Sequence, residues 1–259
     1  MKGKRIVPLE AVHNFRDYGD YPVTGGGRLR SGMLYRSAQH AGASGGDLET
    51  ISSLALATAI DFRGSGERMR HPCPRAPGFT TDIVTYDGET AGMPPHLQAE
   101  LAGMDGAGVR RATAAIYRDL PMRVGLLEML RRYFQALASR DGPSLVHCVA
   151  GKDRTGIAVA LFHTVMGVHD DDILEDYLLT NTAGDPEARI AAAAVSVRKR
   201  YGAMNDEALR AIMGVAPEYL ENAFDAIAKT YGSRDRFLEI RLGVDAPLRE
   251  NLRRRYVLS

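Results

Sequence analysis

HCVAGKDRTG, residues 147–156, stands between two apolar segments of different length. The short segment before it, 143–147, predicts a strand, and the longer one after it, 155–166, predicts a helix. A loop between a strand and a helix directs its backbone N–H groups and the positive end of the helix dipole toward one point. Such a concavity binds anions. Gly151 lets the backbone turn closely around the bound group.

Cys148 and Arg154 supply the chemistry that this anion site suggests. A positive environment favours the thiolate, which is the nucleophilic form of cysteine. The planar guanidinium of arginine holds two phosphate oxygens and offsets their charge during phosphoryl transfer. The pattern therefore predicts in-line attack on a phosphate monoester, which gives a cysteinyl-phosphate. The residues expected to cradle the phosphate are Val149, Ala150, Gly151, Lys152, Asp153 and Arg154.

Three further residues are interpreted from their places near this loop. The Thr155 hydroxyl is expected to donate to the thiolate and to help the cysteine leave in the second step. His147 is expected to order the loop through its ring nitrogens rather than to act as a base. Cys73 is flanked by prolines and has Phe79, not arginine, six positions later. We interpret it as a loop cysteine, with a reversible cap on Cys148 after oxidation as the alternative.

Periodicity along the rest of the chain predicts alternating strands and helices. Strands are predicted at 56–62 and 79–86, a hairpin at 28–36, and helices at 47–54 and 126–137. This alternation indicates an α/β fold with a largely parallel sheet. We expect one domain over residues 1–259, with a lid or flap at about 87–111 and a helical C-terminal portion at about 170–259. In that portion Pro186, Pro217 and Pro247 are expected to begin helices, and Gly202, Gly232 and Gly243 to end them.

Composition limits the class of protein. The chain has 259 residues, of which 45% are hydrophobic and 25% charged, with a net charge of +1. These values suit a soluble globular protein and give no general attraction to nucleic acid. Two cysteines, no apolar N-terminal run and no segment long enough to span a bilayer predict a reducing, cytoplasmic location, with export lacking a cleaved signal as the alternative.

The sequence resembles the protein tyrosine phosphatase superfamily, and its loop resembles the HCxAGKDRTG loop of bacterial tyrosine and lipid phosphatases. The matching segments outside the loop are NFRDYG 14–19, GMLYRS 32–37, IDFR 60–63, ER 67–68, PEYL 217–220 and YGS 231–233. The resemblance implies a central, mostly parallel sheet flanked by helices and a two-step phosphoenzyme mechanism. It also implies no metal or organic cofactor. The expected substrate is phosphotyrosine in proteins, with phosphoserine, phosphothreonine and phosphoinositides as further candidates and inorganic phosphate as the product.

The general acid is left open between two aspartates. In the resembling subgroup the aspartate within the loop, here Asp153, is the usual candidate. Asp61 competes because it ends a predicted sheet strand, where α/β sites collect their residues. Asp87 and Asp105, near the predicted lid, are weaker candidates. If Asp153 is the acid, Asp61 is expected to brace the site through an ion pair with Arg63 or Arg16.

Nearby cations carry a functional and a structural interpretation. In the resembling group a lysine at position 152 accompanies activity on phosphoinositides; the alternative is a solvated lysine or an ion pair with Asp61. Arg63 either supports the substrate or forms a structural ion pair, and Arg16 and Arg36 are interpreted as structural. No histidine, cysteine or aspartate cluster has the spacing of metal ligands.

Three other functions compete with a protein phosphatase. The first is a phosphatase acting mainly on phosphoinositides, which a shallow, wide site would favour. The second is a phosphate-binding module without turnover, against which Cys148, Arg154 and the acid candidates argue. The third is a sulfur transferase, which also uses a cysteine loop; Arg154 and Thr155 favour phosphate.

Overall fold

The computed structural model describes residues 5–90, 104–202 and 204–258. The strands in these ranges are β1 Arg16–Asp17, β2 Arg28–Leu29, β3 Leu34–Ser37, β4 Thr58–Asp61, β5 Asp82–Val84, β6 Ser144–His147 and β7 Val257–Leu258. The main sheet has the order β1-β3-β6-β4-β5. β3, β6, β4 and β5 are parallel, and β1 pairs antiparallel with β3. The prediction of an α/β fold with a mostly parallel central sheet is confirmed.

The carboxyl edge of this sheet brings three predicted segments together. His147, the last residue of β6, pairs in register with Ser37 of β3 on one side and with Asp61 of β4 on the other. Cys148 follows directly. Because ligands of open α/β sheets bind at the carboxyl ends of the strands, the register alone places the 147–156 loop where a site is expected.

Helices flank the sheet and form the C-terminal part of the chain. They are α1 Gly45–Ser53, α2 Ser65–Arg70, α3 Gly106–Asp119, α4 Val124–Ser139, α5 Asp153–Met166, α6 Asp170–Leu178, α7 Pro186–Tyr201, α8 Asp206–Met213, α9 Pro217–Tyr231, α10 Arg234–Leu242 and α11 Ala246–Tyr256. Pro186 and Pro217 begin α7 and α9, and Pro247 lies in the first turn of α11. Gly202, Gly232 and Gly243 follow α7, α9 and α10, as predicted.

The core joins the sheet to the C-terminal helices. α5 is apolar on nearly all sides, and every residue in it except Asp153 and Thr164 is buried, as expected for a central helix. Val146 of β6, Leu238 of α10 and Leu252 of α11 belong to the same buried cluster as this helix. The shared core supports the expectation of one domain, which stays a prediction.

Two local predictions are corrected. The segments at 28–36 do not form a hairpin, because β2 pairs antiparallel with β7 at the other end of the chain and β3 pairs with β1 and β6. The turn between them is held instead by Asp17, whose carboxylate accepts hydrogen bonds from Ser31 Oγ and the Gly32 N–H. α5 begins at Asp153 rather than at Thr155, so the loop residues Asp153 and Arg154 occupy its first turn.

The predicted lid at about 87–111 lies largely outside the described residues, since 91–103 are not among them. In the part that is described, Asp105 caps α3 by accepting a hydrogen bond from the Gly108 N–H. Within the described ranges, no helix combines the length and apolar composition needed to cross a membrane.

Candidate active site

The loop passes tightly against the end of β3 at Gly151. This glycine has φ +66°, and a Cβ atom there would lie 2.3 Å from the carbonyl oxygen of Ser37. A side chain is excluded both by that contact and by the left-handed backbone. The Gly151 carbonyl accepts hydrogen bonds from Asn14 Nδ2 and Arg36 Nη2, each at 2.9 Å. These contacts fix the loop from the side of the sheet.

The loop borders a cavity of about 630 Å³. Cys148 lines this cavity and is only 2% exposed. The other predicted site residues that line it are Val149, Ala150, Lys152, Asp153 and Arg154. Apolar side chains contribute as well, namely Ile116, Leu120, Val197, Ile212 and Met213. A concave apolar site with a few convergent polar groups is the usual form of a ligand pocket.

Arg154 is held by three protein groups. Its Nη1 and Nη2 atoms donate to Glu67 Oε2 and Oε1 at 2.6 and 3.0 Å. Nη1 also donates to the Phe62 carbonyl and to Thr90 Oγ1, each at 3.0 Å. Burial alone would lower the pKa of Arg154, but negative charge on Cys148 and the bond to Glu67 raise it above its usual value. The guanidinium is therefore a fixed cation beside the sulfur.

Asp153 is held in its ionised form by neighbouring donors. Lys152 Nζ and Tyr117 Oη donate to its Oδ1 atom at 2.8 and 2.7 Å. Burial opposes ionisation, but the Lys152 ammonium, the Tyr117 hydroxyl and the Arg154 charge outweigh it and lower the pKa of Asp153. Lys152 thus pairs with Asp153, and not with Asp61 as one interpretation of the sequence had it.

Asp61 lies behind the loop in a buried polar network. It is 1% exposed, and both of its carboxylate oxygens accept hydrogen bonds from Arg63 Nε. Burial opposes ionisation, but His147 and Arg63 favour it and lower the pKa of Asp61 to about 2. Arg63 also donates to the His71 carbonyl and to Cys73 Sγ at 2.6 and 3.1 Å. In the described structure neither Asp61 nor Arg63 lines the cavity.

His147 and Thr155 flank the cysteine. The Nδ1 atom of His147 lies 3.3 Å from the Cys148 carbonyl oxygen, and its ring stacks on that of His40 at 5.2 Å. Burial lowers the pKa of His147, and the nearby Asp61 charge opposes this shift without cancelling it. Thr155 is fully buried, and among the described residues its Oγ1 atom has no hydrogen-bond partner. This hydroxyl is therefore available to the sulfur or to a bound phosphate.

Sequence reasoning missed three residues that complete the site. Glu67 appeared only as part of a matching segment, although it holds Arg154. Tyr117 was not singled out, although it contacts Asp153. Arg189 of α7 lines the cavity with only 5% of its surface exposed. Each lies far from the loop in sequence. The only available signal was that Glu67 belongs to a segment that matches the resembling family.

One family model and several known proteins are similar to this chain. The family model described as "Tyrosine phosphatase family" matches residues 7–258. The "Putative tyrosine-protein phosphatase" of Cupriavidus necator is 31% identical over 95% of this chain and 87% of its own length. The "Triple specificity protein phosphatase PtpB" of Mycobacterium tuberculosis is 30% identical over 90% of this chain and 92% of its own. A crystal structure of P. aeruginosa TpbA is 20% identical, with a TM-score of 0.30, and covers 75% of this chain and 96% of its own.

A mostly parallel sheet carrying a cysteine–arginine anion loop at its carboxyl edge is typical of cysteine-dependent phosphatases. The family match over nearly the whole chain and the two relatives establish the narrower assignment. This chain belongs to the tyrosine phosphatase family and is a phosphoric monoester hydrolase. The family resemblance and the enzyme class predicted from the sequence are thereby confirmed.

Proposed function

We propose that this phosphatase hydrolyses phosphotyrosine in proteins through a cysteinyl-phosphate on Cys148. The observation that carries the proposal is that Cys148 and Arg154 line the same cavity and that Glu67 holds the guanidinium of Arg154. In the first step the thiolate attacks phosphorus, and the departing ester oxygen takes a proton from Asp153. In the second step water attacks phosphorus and gives a proton to Asp153. The S–P bond then breaks, and inorganic phosphate leaves.

The remaining site residues have supporting roles in this proposal. The N–H groups from Val149 to Arg154 hold the equatorial oxygens, and the Arg154 fork offsets their charge. The free Thr155 hydroxyl donates to the sulfur when the thiolate is re-formed. His147, as a buried ring beside the Cys148 carbonyl, orders the start of the loop and does not act as a base.

We assign the general acid to Asp153 rather than to Asp61. Asp153 lines the cavity, and its side chain is 33% exposed. Asp61 is buried, and both of its oxygens are already bonded to Arg63. An acid must reach the proton acceptor on the substrate, so geometry favours Asp153. The lowered pKa of Asp153 suits the second step, in which the carboxylate takes a proton from water. In the first step Asp153 must be protonated, and the negative charge of the bound phosphate dianion favours that form.

The substrate assignment rests on the walls of the cavity. Cys148 is 2% exposed, so its sulfur is reached only by a group that enters the cavity. Ile116, Leu120 and Met213 offer apolar surface of the kind that packs on an aromatic ring. One relative is named a triple specificity phosphatase. Phosphoserine and phosphothreonine are therefore proposed as additional, slower substrates, because their short side chains reach the sulfur less easily.

A second candidate function is phosphoinositide hydrolysis as the main activity. The observation that favours it is Arg189, a buried guanidinium on the cavity wall. Its Nη1 atom donates to the Thr180 carbonyl, while its buried Nε–H has no partner among the described residues. Burial lowers its pKa, as expected for a buried cation that forms no ion pair with a carboxylate among the described residues. A second phosphate on the substrate would stabilise the charged form of Arg189.

A panel of phosphopeptides and phosphoinositides, assayed with a chelator present, separates these candidates. We expect the phosphotyrosine peptides to have the highest kcat/KM. Cys148→Ser is expected to abolish turnover. Cys73→Ser, which replaces the other cysteine, is the matched control and should keep turnover within a few-fold of the wild type. Faster turnover of the phosphoinositides would make the second candidate the main function. Phosphate binding without turnover, or thiosulfate–cyanide turnover instead, would contradict a phosphatase mechanism.

Asp153→Asn tests the assignment of the acid. Loss of the proton donor is expected to lower kcat/KM by roughly 10²–10⁴-fold for aryl phosphates with poor leaving groups. Aryl phosphates with good leaving groups need no proton and should be affected far less. The measurement is kcat/KM across a series of substituted phenyl phosphates. Equal losses along the series would contradict the acid role.

The setting of the enzyme is also part of the proposal. We propose a single domain over residues 1–259, since the sheet and the C-terminal helices share one buried cluster. We propose a cytoplasmic location, because Cys148 must stay reduced to attack phosphorus and cytoplasmic thiols are kept reduced.

A further inference from the structure

Side chains from three helices meet at the candidate acid. Tyr117 of α3 donates from its hydroxyl to Asp153 Oδ1 of α5 at 2.7 Å. Tyr177 of α6 donates in turn to the Tyr117 hydroxyl at 2.8 Å. Both tyrosines are 1% exposed. A buried chain of hydroxyl groups therefore ends on one oxygen of the carboxylate.

The chain has a fixed direction. An ionised carboxylate only accepts hydrogen bonds, so the Tyr117 proton must point at Asp153. The Tyr117 oxygen then accepts the Tyr177 proton. Burial and the Asp153 charge raise the pKa of Tyr117 well above its usual value, which keeps its phenol protonated. The hydroxyl pair is thus a permanent donor to Asp153.

The two carboxylate oxygens of Asp153 have different surroundings. Tyr117 and Lys152 both donate to Oδ1. In the described part of the chain no residue donates to Oδ2, and the side chain remains 33% exposed in the cavity wall. Two donors on one oxygen fix the rotation of the carboxylate and leave the other oxygen for proton exchange.

We propose that Tyr117, held by Tyr177, is a positioning residue that aims Asp153 Oδ2 at the leaving-group oxygen. The inference rests on the proposed acid role of Asp153. Lys152 alone would not fix the carboxylate, because a flexible ammonium gives a bond without a defined plane. The phenol is rigid and packs against the Tyr219 ring at 5.3 Å, so its hydroxyl has one position.

Tyr117→Phe tests this role because it removes the hydroxyl and keeps the ring. A hydrogen bond to a charged group corresponds to roughly ten- to a hundredfold in rate. We expect kcat/KM to fall by about that factor for aryl phosphates with poor leaving groups, and by less than about threefold for those with good ones. Inhibition by inorganic phosphate should be unchanged, since the phosphate cradle is intact.

The pH profile gives a second readout that a structural role would not move. Loss of a donor to the carboxylate raises the pKa of Asp153. The basic limb of kcat on an aryl phosphate with a poor leaving group reports the protonated acid in the enzyme–substrate complex, and it should therefore move to higher pH in Tyr117→Phe. Tyr177→Phe weakens the same donor without removing it, so it should move the limb in the same direction by less.

Tyr133→Phe is the matched control. It removes one hydroxyl of another fully buried tyrosine pair, Tyr18 and Tyr133, whose oxygens are 2.9 Å apart. Among the described residues, neither hydroxyl of this pair hydrogen-bonds to a carboxylate, so the leaving-group dependence and the pH limb should match the wild type. If Tyr117→Phe does not fold, the Tyr177→Phe profile decides.

Two results would overturn the inference. In the first, Asp153→Asn loses activity on aryl phosphates with poor leaving groups, but Tyr117→Phe and Tyr177→Phe keep the wild-type leaving-group dependence and pH limb. Asp153 is then the acid, but Tyr117 does not position it. In the second, Asp153→Asn lowers kcat/KM equally for all leaving groups. The acid assignment then fails, and the positioning role fails with it. A basic limb shifted to higher pH, together with a selective loss of activity on substrates with poor leaving groups, supports the positioning role of Tyr117.

Discussion

Arg154 donates some of its N–H groups to the protein and has others left for the expected substrate. Four of its hydrogen bonds involve Nη1 and Nη2 and go to Glu67, Phe62 and Thr90. Among the described residues, none accepts from Nε. A guanidinium has five N–H groups, so the Nε–H and one Nη2–H remain for two phosphate oxygens. Glu67 therefore orients the guanidinium and leaves free the edge that we propose binds phosphate.

Glu67→Gln should weaken the site by removing a charge and keeping the size of the side chain. We expect kcat/KM on an aryl phosphate to fall by roughly ten- to a hundredfold, the equivalent of about 1.5–3 kcal/mol for a charged hydrogen bond. Inhibition by inorganic phosphate should weaken in parallel, since the same edge of Arg154 binds it. Glu128→Gln breaks a partly exposed ion pair with Arg132 and serves as the control. A variant with unaltered phosphate inhibition would show that Glu67 does not orient the fork.

At the scale of elements, the strand–loop–helix unit depends on one backbone conformation. Gly151 lets the loop turn between β6 and α5, and the loop carbonyl is bound by Asn14 and Arg36. The helix begins at Asp153, which brings the first-turn N–H groups of α5 to the cradle. The anion site is therefore set by where the helix starts as much as by the side chains.

Gly151→Ala should displace the loop, because its Cβ would lie 2.3 Å from the Ser37 carbonyl oxygen. A misplacement of about 1 Å can lower the rate by about a hundredfold, and we expect a loss of that order in kcat/KM. Gly243→Ala is the matched control: Gly243 has a similar φ, +71°, and a Cβ there would have no atom within 4 Å. Both variants share the backbone strain, so only the first should lose activity. Equal activities would contradict the tight passage of the loop.

The sequence predicted helices and strands correctly where the apolar pattern is local. It did not predict strand pairing between segments that are far apart in the chain. The strand before the loop, the helix after it and the helix near residue 130 follow from apolar periodicity, and all are present. The hairpin at 28–36 was wrong because β2 finds its partner in β7, more than two hundred residues away in sequence. Glu67, Tyr117 and Arg189 could not be placed for the same reason, since no local pattern ties them to the loop.

At the scale of the whole molecule, one buried carboxylate joins the N-terminal segment, the sheet and the helices. Asp176 of α6 pairs with Arg16 of β1 at 3.4 Å and with Arg36 of β3 at 2.7 Å. All three side chains are at most 1% exposed. Arg36 also binds the Gly151 carbonyl, so this cluster supports the loop as well. The structural interpretation of Arg16 and Arg36 agrees with these contacts.

Asp176→Asn should destabilise the protein by about 3–5 kcal/mol, because it leaves two buried guanidinium groups without a counter-charge. Denaturant unfolding at neutral pH measures this loss. Asp170→Asn, which breaks the largely exposed pair with Arg234, should cost about 1 kcal/mol or less. A loss for Asp176→Asn no larger than that of the control would contradict the role of the buried cluster.

Acid should weaken the wild type through the same group. Burial opposes ionisation, but Arg16 and Arg36 lower the pKa of Asp176 below its usual value. The stabilisation is complete above the unfolded pKa of about 3.9 and is lost as pH falls through the lower folded value. The free energy of unfolding should therefore decline below about pH 4 in the wild type, and less steeply in Asp176→Asn. Parallel acid limbs would contradict this assignment.

The central claim is that Cys148 carries the phosphoryl group between the two steps. Rapid quenching of the enzyme with an aryl phosphate, followed by intact-mass and peptide analysis, tests it most directly. We predict a mass increase of one phosphoryl group on the peptide that contains Cys148, lost on iodine treatment and absent from Cys148→Ser. A competent enzyme that forms no such adduct, or that carries the phosphoryl group on another residue, would contradict it.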